Sequence, residues 1–134
     1  MGLVSMKIAV DTSVIVDFLR RSDKENSLYS HLSSSYNIII SLISVAELYS
    51  GQSSQTKRGS EALSNVLIGV EIKAPNLDMA KFAGNLKLQY DLSLPDAFIA
   101  TMAIDSSLPL ATFNRKDFEK IKRLKLYLQN HKKD

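Results

Sequence analysis

The chain has 134 residues, 45% of them hydrophobic and 23% charged, with no cysteine and a net charge of +3; that suffices for one domain with a real core and excludes disulfides and thiolate metal sites. Its apolar stretches are too short to span a membrane, and no basic segment followed by an apolar one opens it, which argues against a secretory leader and for the cytoplasm. Charge is uneven: residues 115–134 carry 8 Lys/Arg against 3 Asp/Glu, a basic end suited either to phosphate backbones or to plain solvation.

Taken in order, Lys7-Ile8-Ala9-Val10 reads as a buried strand, with Met6 a second candidate start and residues 1–5 then an extension. The strand ends in Asp11-Thr12-Ser13, and an apolar run predicts a helix over about 13–20. Asp11 therefore belongs at the carboxyl end of a strand, where open α/β sheets bind ligands. Thr12 or Ser13 is expected to cap the helix and leave the Asp11 oxygens facing outward. Ser22-Asp23-Lys24-Glu25 has capping-box spacing and predicts a second helix toward residue 33. Asn37-Ile38-Ile39-Ile40-Ser41 is a continuous β-branched run, the pattern of a strand buried on both faces of a parallel sheet. A short helix over 45–49 is expected to stop near Gly51. A polar stretch over 52–59 and a helix with Ala62, Leu63, Val66 and Leu67 inward follow.

Residues 70–72 alternate as a short strand that Pro75 ends. Met79, Phe82, Ala83, Leu86 and Tyr90 form a helical core stripe. Ser93-Leu94-Pro95-Asp96 opens another helix, with Ile99, Ala100 and Ala103 inward. Residues 108–112 form a strand, 113–121 a turn and short helix, and 124–128 a last edge strand. The alternation predicts a single α/β domain: a parallel sheet with helices on both faces, and a basic tail at 129–134. Tyr29, Leu32, Tyr36, Tyr49 and Leu63 are either core or an apolar surface for a second copy or a partner helix.

Three acids share a context. Asp11 ends the first strand, Glu47 follows the second in Ser44-Val45-Ala46-Glu47, and Asp96 opens a helix. Turns after neighbouring parallel strands converge on one sheet edge, and a helix N-terminus favours a carboxylate there. Ser44-x-x-Glu47 and Ser93-x-x-Asp96 also match the capping box, in which the acid only satisfies backbone N–H groups. Clustered carboxylates repel one another, and a divalent cation relieves that repulsion. Oxygen ligands alone point to Mg²⁺, with Mn²⁺ substituting. With no thiol and no phosphate-binding glycine loop, the chemistry expected is attack of water on a phosphodiester of nucleic acid.

Together Asp11-Thr12-Ser13, Ser44-x-x-Glu47-Leu48 with Gly51, Leu94-Pro95-Asp96 with Ile99-Ala100, and Thr112-x-Asn114-x-x-Asp117-Phe118 resemble the PIN domain, most closely the VapC-type toxins of toxin–antitoxin pairs. The resemblance runs from about residue 7 to 128. It implies a three-layer α/β/α sandwich around a parallel sheet of four to five strands. It also implies a Mg²⁺/Mn²⁺-dependent endoribonuclease acting on RNA, a homodimer and an inhibitory antitoxin. Carried over, Asp11 and Asp96 look like the principal metal ligands and Glu47 like the third. Thr112 resembles the hydroxyl that supports the cluster. Thr12 is expected to support it as well, and Arg115 and Lys116 are expected to contact phosphates, though the resemblance does not fix them. The fourth catalytic position falls on Asn114 or Asp117; Asn114 is expected to position its neighbours and Asp117 to act from farther out. A housekeeping RNA-processing nuclease and an RNA-binding module are the alternatives within the family. A dehalogenase-like phosphatase would want a second Asp where Ser13 stands. A receiver domain would want an acidic pair that is absent.

Overall fold

The computed structural model of the chain describes residues 6–128 and 130–133; the expected 1–5 extension lies outside them. Its centre is a parallel sheet. Strand β1 (Lys7–Val10) pairs with β2 (Asn37–Ser41) on one side and β4 (Leu110–Ala111) on the other, and β2 pairs with β3 (Glu71–Lys73). The order β3-β2-β1-β4 means the chain steps outward twice from β1, then returns to its other side.

The pleat of the two central strands builds two cores. Ile8, Val10, Ile38 and Ile40 face one way. They meet α1 (Thr12–Arg20) through Val14 and Ile15, α2 (Leu28–Ser35) through Leu28 and Leu32, and α4 (Lys57–Ile68) through Leu63 and Val66. Ala9 and Ile39 face the other way. They meet α5 (Leu77–Tyr90) through Met79, Ala83 and Leu86, and α6 (Leu94–Asp105) through Ile99, Ala100 and Ala103. The short α7 (Arg115–Phe118) adds the fully buried Phe118 to that second core. Alternate strand residues thus bury on opposite sides, which is why these strands read as unbroken apolar runs. The result is the expected α/β/α sandwich.

Several local expectations are corrected. Ser22 does not open the second helix. Residues Lys24–Asn26 make a 3-10 turn first, and the Ser27 hydroxyl accepts from the Ser30 N–H to cap α2. Helix α3 (Leu42–Ser50) starts three residues earlier than expected, because the Ser41 hydroxyl accepts from the Ile43 N–H. The polar stretch divides into a 3-10 turn at Gln52–Gln55 and the start of α4, which Thr56 caps. The edge strand over 124–128 shrinks to one parallel bridge between Leu110 and Leu126. Of the side chains considered as open surface, Tyr29, Leu32 and Leu63 are core; Tyr36 is half-buried and Tyr49 is exposed.

Two glycines separate packing from propensity. A β-carbon on Gly59 would collide with the Ser53 carbonyl, whereas one on Gly84, in the middle of α5, meets nothing within 4 Å. Gly59→Ala should lower stability by about 1–3 kcal/mol, as forced overpacking does. Gly84→Ala should raise it by about 0.5–1 kcal/mol through helix propensity. Urea denaturation of both variants checks the pair, and equal effects would contradict the close approach at Gly59.

Candidate active site

Because strand order reverses at β1, the turns after β1 and β4 lie side by side at the carboxyl edge. Open α/β sheets place their crevice at such a point. Asp11 follows β1, and its N–H donates to the Ala111 carbonyl at 2.9 Å, carrying the ladder one step past the strand. Asp11 is 4% exposed. It stands before α1 but makes no side-chain capping bond. Thr12 and Ser13, expected as caps, lie inside the first turn and turn their hydroxyls to other work.

Thr112 Oγ1 and Ser13 Oγ each donate to the same oxygen, Asp11 Oδ2, at 2.7 Å. Each hydroxyl has one proton, so its remaining bond is as acceptor. Ser13 Oγ accepts from the Phe113 N–H at 3.1 Å, and Thr112 Oγ1 from the Asn114 N–H at 2.8 Å. The turn after β4 is thereby tied to the carboxylate that ends β1. Oδ1 of Asp11 takes no side-chain hydrogen bond among the described residues.

Glu47 is not a capping residue, since Ser44 lies buried within α3. Thr12 Oγ1 lies 2.7 Å from Glu47 Oε1 and 2.9 Å from Ser44 Oγ. The single Thr12 proton goes to the charged acceptor, and the Ser44 hydroxyl donates to Thr12. A chain Ser44–Thr12–Glu47 thus aims the carboxylate. Ser93 does cap α6, accepting from the Asp96 N–H at 3.2 Å. Capping does not settle the Asp96 charge. Its carboxyl is pushed up to about 6, first by burial and then by the charge of Asp11, with Glu47 and Asp117 adding to the rise; the Ser93 hydroxyl opposes it and loses. Burial likewise raises Asp11 above the usual carboxylate range, against the pull of the Thr112 and Ser13 hydrogen bonds.

These groups border one open cleft of about 370 Å³, lined by Asp11, Thr12, Ser13, Val16, Glu47, Asp96, Phe113, Asn114 and Lys133. The structure therefore gathers Asp11, Glu47, Asp96, Thr12 and Asn114, with Thr112 directly behind Asp11. Asp117, Arg115 and Lys116 are not lining residues. Asp117 reaches the site through Asn114, whose amide Nδ2 donates to its carboxylate at 2.9 Å. Sequence reasoning gives Lys133, Ser13 and Ser44 no place at the site, where Ser13 and Lys133 line the cleft and Ser44 lies 2.9 Å from Thr12 Oγ1. Ser13 and Ser44 sit in the right motifs, but only their hydrogen-bond partners reveal a role.

None of the ion pairs among the described residues involves Asp11, Glu47, Asp96 or Asp117. Among those residues, no three acidic or imidazole side chains come close enough to form a preformed metal cage. The donor set nonetheless suits a hard cation: carboxylate oxygens held by hydroxyls, mutually repelled, and free of cationic ion-pair partners. Asp11, Glu47 and Asp96 are the residues that would hold it.

A family model described as the PIN domain matches residues 8–124. Comparison with curated proteins gives no match. Among solved structures, VapBC2 from Rickettsia felis, bound to a DNA fragment from its promoter, is similar with a TM-score of 0.76 and 25% identity, over 93% of this chain and 100% of that one. A toxin–antitoxin complex from Klebsiella pneumoniae is similar at 28% identity and a TM-score of 0.71, over 87% of this chain and 94% of that one. The sarcin–ricin-loop-cleaving toxin VapC20 of Mycobacterium tuberculosis shares the fold, with a TM-score of 0.69 and 16% identity over 85% and 95% of the two chains.

The raised carboxyls fix the sign of a pH effect. Folded Asp96 holds its proton up to about 6, against an ordinary 3.8. Between those values the folded state binds more protons than the unfolded one, so stability falls as pH rises through the window. Asp11 acts with the same sign. In chelator-treated protein the melting temperature should drop across that range, and Asp96→Asn should flatten the drop. A wild-type profile that rises there, or one that Asp96→Asn leaves unchanged, would contradict the crowding of the acids.

Proposed function

The chain belongs to the PIN domain family, and on that premise we propose that it is a Mg²⁺- or Mn²⁺-dependent endoribonuclease, the toxin of a toxin–antitoxin pair acting in the cytoplasm. The observation that carries this reading is the convergence of Asp11, Glu47 and Asp96 in one cleft at the sheet edge, with two of them oriented by hydroxyls. When bound there, a divalent cation supplies Lewis-acid polarisation of a phosphodiester and a more acidic attacking water.

The chain's own residues divide the remaining work. Asp11 is fixed through Oδ2 and borders the cleft. Glu47 is held by Thr12. Asp96, whose carboxyl is raised first by burial and then by the charge of Asp11, completes the three acids that border the cleft. The backbone N–H of Asn114 holds Thr112, while its side chain holds Asp117, so Asp117 adds negative charge from the margin. Arg115 and Lys116, beside that turn, are assigned to phosphates farther along the strand.

The toxin–antitoxin complex among the similar structures supports a cognate antitoxin as partner. Exposed Leu42 and Tyr49 on α3 and Leu94 at the start of α6 give apolar surface on two packed helices for a second copy of the chain. No helix among the described residues is long and apolar enough to cross a membrane.

Purified protein should cut a structured RNA in Mg²⁺ or Mn²⁺ and stop when a chelator is added. Asp11→Asn and Asp96→Asn should each lose cleavage by orders of magnitude while remaining folded by circular dichroism. Asp117→Asn should lose less and be partly restored by Mn²⁺. Full activity in Asp11→Asn or Asp96→Asn would remove those residues from the site. An Asp117→Asn variant as inactive as Asp11→Asn would place Asp117 among the ligands.

A further inference from the structure

Lys133 lines the same cleft as Asp11, Glu47 and Asp96, and it is the one cationic side chain among the described residues that do so. The other lining residues come from strand-end turns and helix starts. Lys133 arrives instead from the basic segment that follows Leu128. Two contacts bring it there. Arg21, just past α1, donates from Nη1 to the Lys132 carbonyl at 3.3 Å. The His131 ring lies against that of His31 on α2, with centroids 5.0 Å apart.

Arg21 is itself held on the body. Its Nη1 reaches Asp17 Oδ2 at 3.3 Å, and its Nε reaches Asp23 Oδ1 at 3.1 Å. Asp17 is 2% exposed on α1. A buried acid thus fixes the guanidinium, and the guanidinium fixes the backbone next to Lys133. Asp17 and Arg21 form an i,i+4 ion pair at the end of α1, outside the lining of the cleft.

An acidic cleft has a problem with a polyanionic substrate, because its carboxylates repel the phosphates it must admit. An ammonium on a flexible four-carbon stem is a compact point charge that offsets this repulsion for a phosphate passing the mouth. We propose that Lys133, placed by the Arg21–Lys132 contact, is a substrate-binding residue that grips a backbone phosphate of the RNA entering the cleft. The inference rests on the nuclease reading above. The rival role, a lysine that blocks the cleft by occupying the acids, has the opposite kinetic consequence.

The test uses the full chain and a fluorogenic RNA hairpin in Mg²⁺. KM and kcat are measured separately over a range of salt for wild type, Lys133→Gln and Lys133→Arg. Lys133 is exposed, so neither variant threatens the core, and thermal melting verifies this. Lys133→Gln should raise KM several-fold with kcat nearly unchanged. It should also flatten the salt dependence by about one released counterion, a slope change of about 0.7 for a single strand. Lys133→Arg should restore both. An unchanged KM, a loss confined to kcat, or faster cleavage by Lys133→Gln overturns the assignment while leaving the nuclease intact. Wild-type protein that does not cut the hairpin overturns the nuclease reading and this inference with it.

Discussion

The buried carboxylate of Asp11 and the two hydroxyl protons on its Oδ2 are the constraint on which the site depends. Burying a carboxylate is costly unless hydrogen bonds meet it. Here the donors are residues 101 and 2 positions away in sequence. Thr112 can reach only because β4 returns to pair with β1, and Ser13 only because α1 begins at once after the strand. Each hydroxyl then takes a backbone N–H from the turn at 113–114. Sheet register, helix start and turn conformation are thus tied to a single oxygen.

That tie leaves the electrostatics unbalanced. Asp96 is drawn to the start of α6, where the helix dipole and the Ser93 hydroxyl favour its charge. Burial and the neighbouring carboxylates nevertheless outweigh both, and its carboxyl rises. A site built only for stability would place a lysine or arginine in ion pairing with these acids. The ion pairs among the described residues lie elsewhere, on Asp17, Asp23, Glu71 and Asp105. The two apolar cores flanking the sheet carry the stability, which lets the edge hold repelling groups.

What could be read from the sequence follows the range of the interaction that decides it. The unbroken apolar runs of β1 and β2 announced strands buried on both faces, because period and burial are local. The acids were legible because each sits beside a strand end or a helix start. Capping was less so: Ser22 and Ser44 have capping-box spacing, yet it is Ser27 and Ser41 that cap α2 and α3. The fifth strand failed because Leu110 alone offers its N–H and carbonyl to Lys125 and Tyr127. The basic tail was legible as an excess of charge, but the entry of Lys133 into the cleft was not. Its place depends on an arginine 111 residues from its neighbour Lys132, and a run of lysines looks the same whether it is solvated or folded into a cleft.

The most direct measurement is the melting temperature of the protein with and without millimolar Mn²⁺, for wild type and for Asp11→Asn. An ion that binds only the folded state raises the midpoint by mass action. If the carboxylates held at the β1 and β4 edge form a cation site, the wild-type midpoint rises with Mn²⁺ and the Asp11→Asn midpoint rises much less. A wild-type midpoint that does not move, or an equal rise in the two proteins, would contradict a cation site built on Asp11.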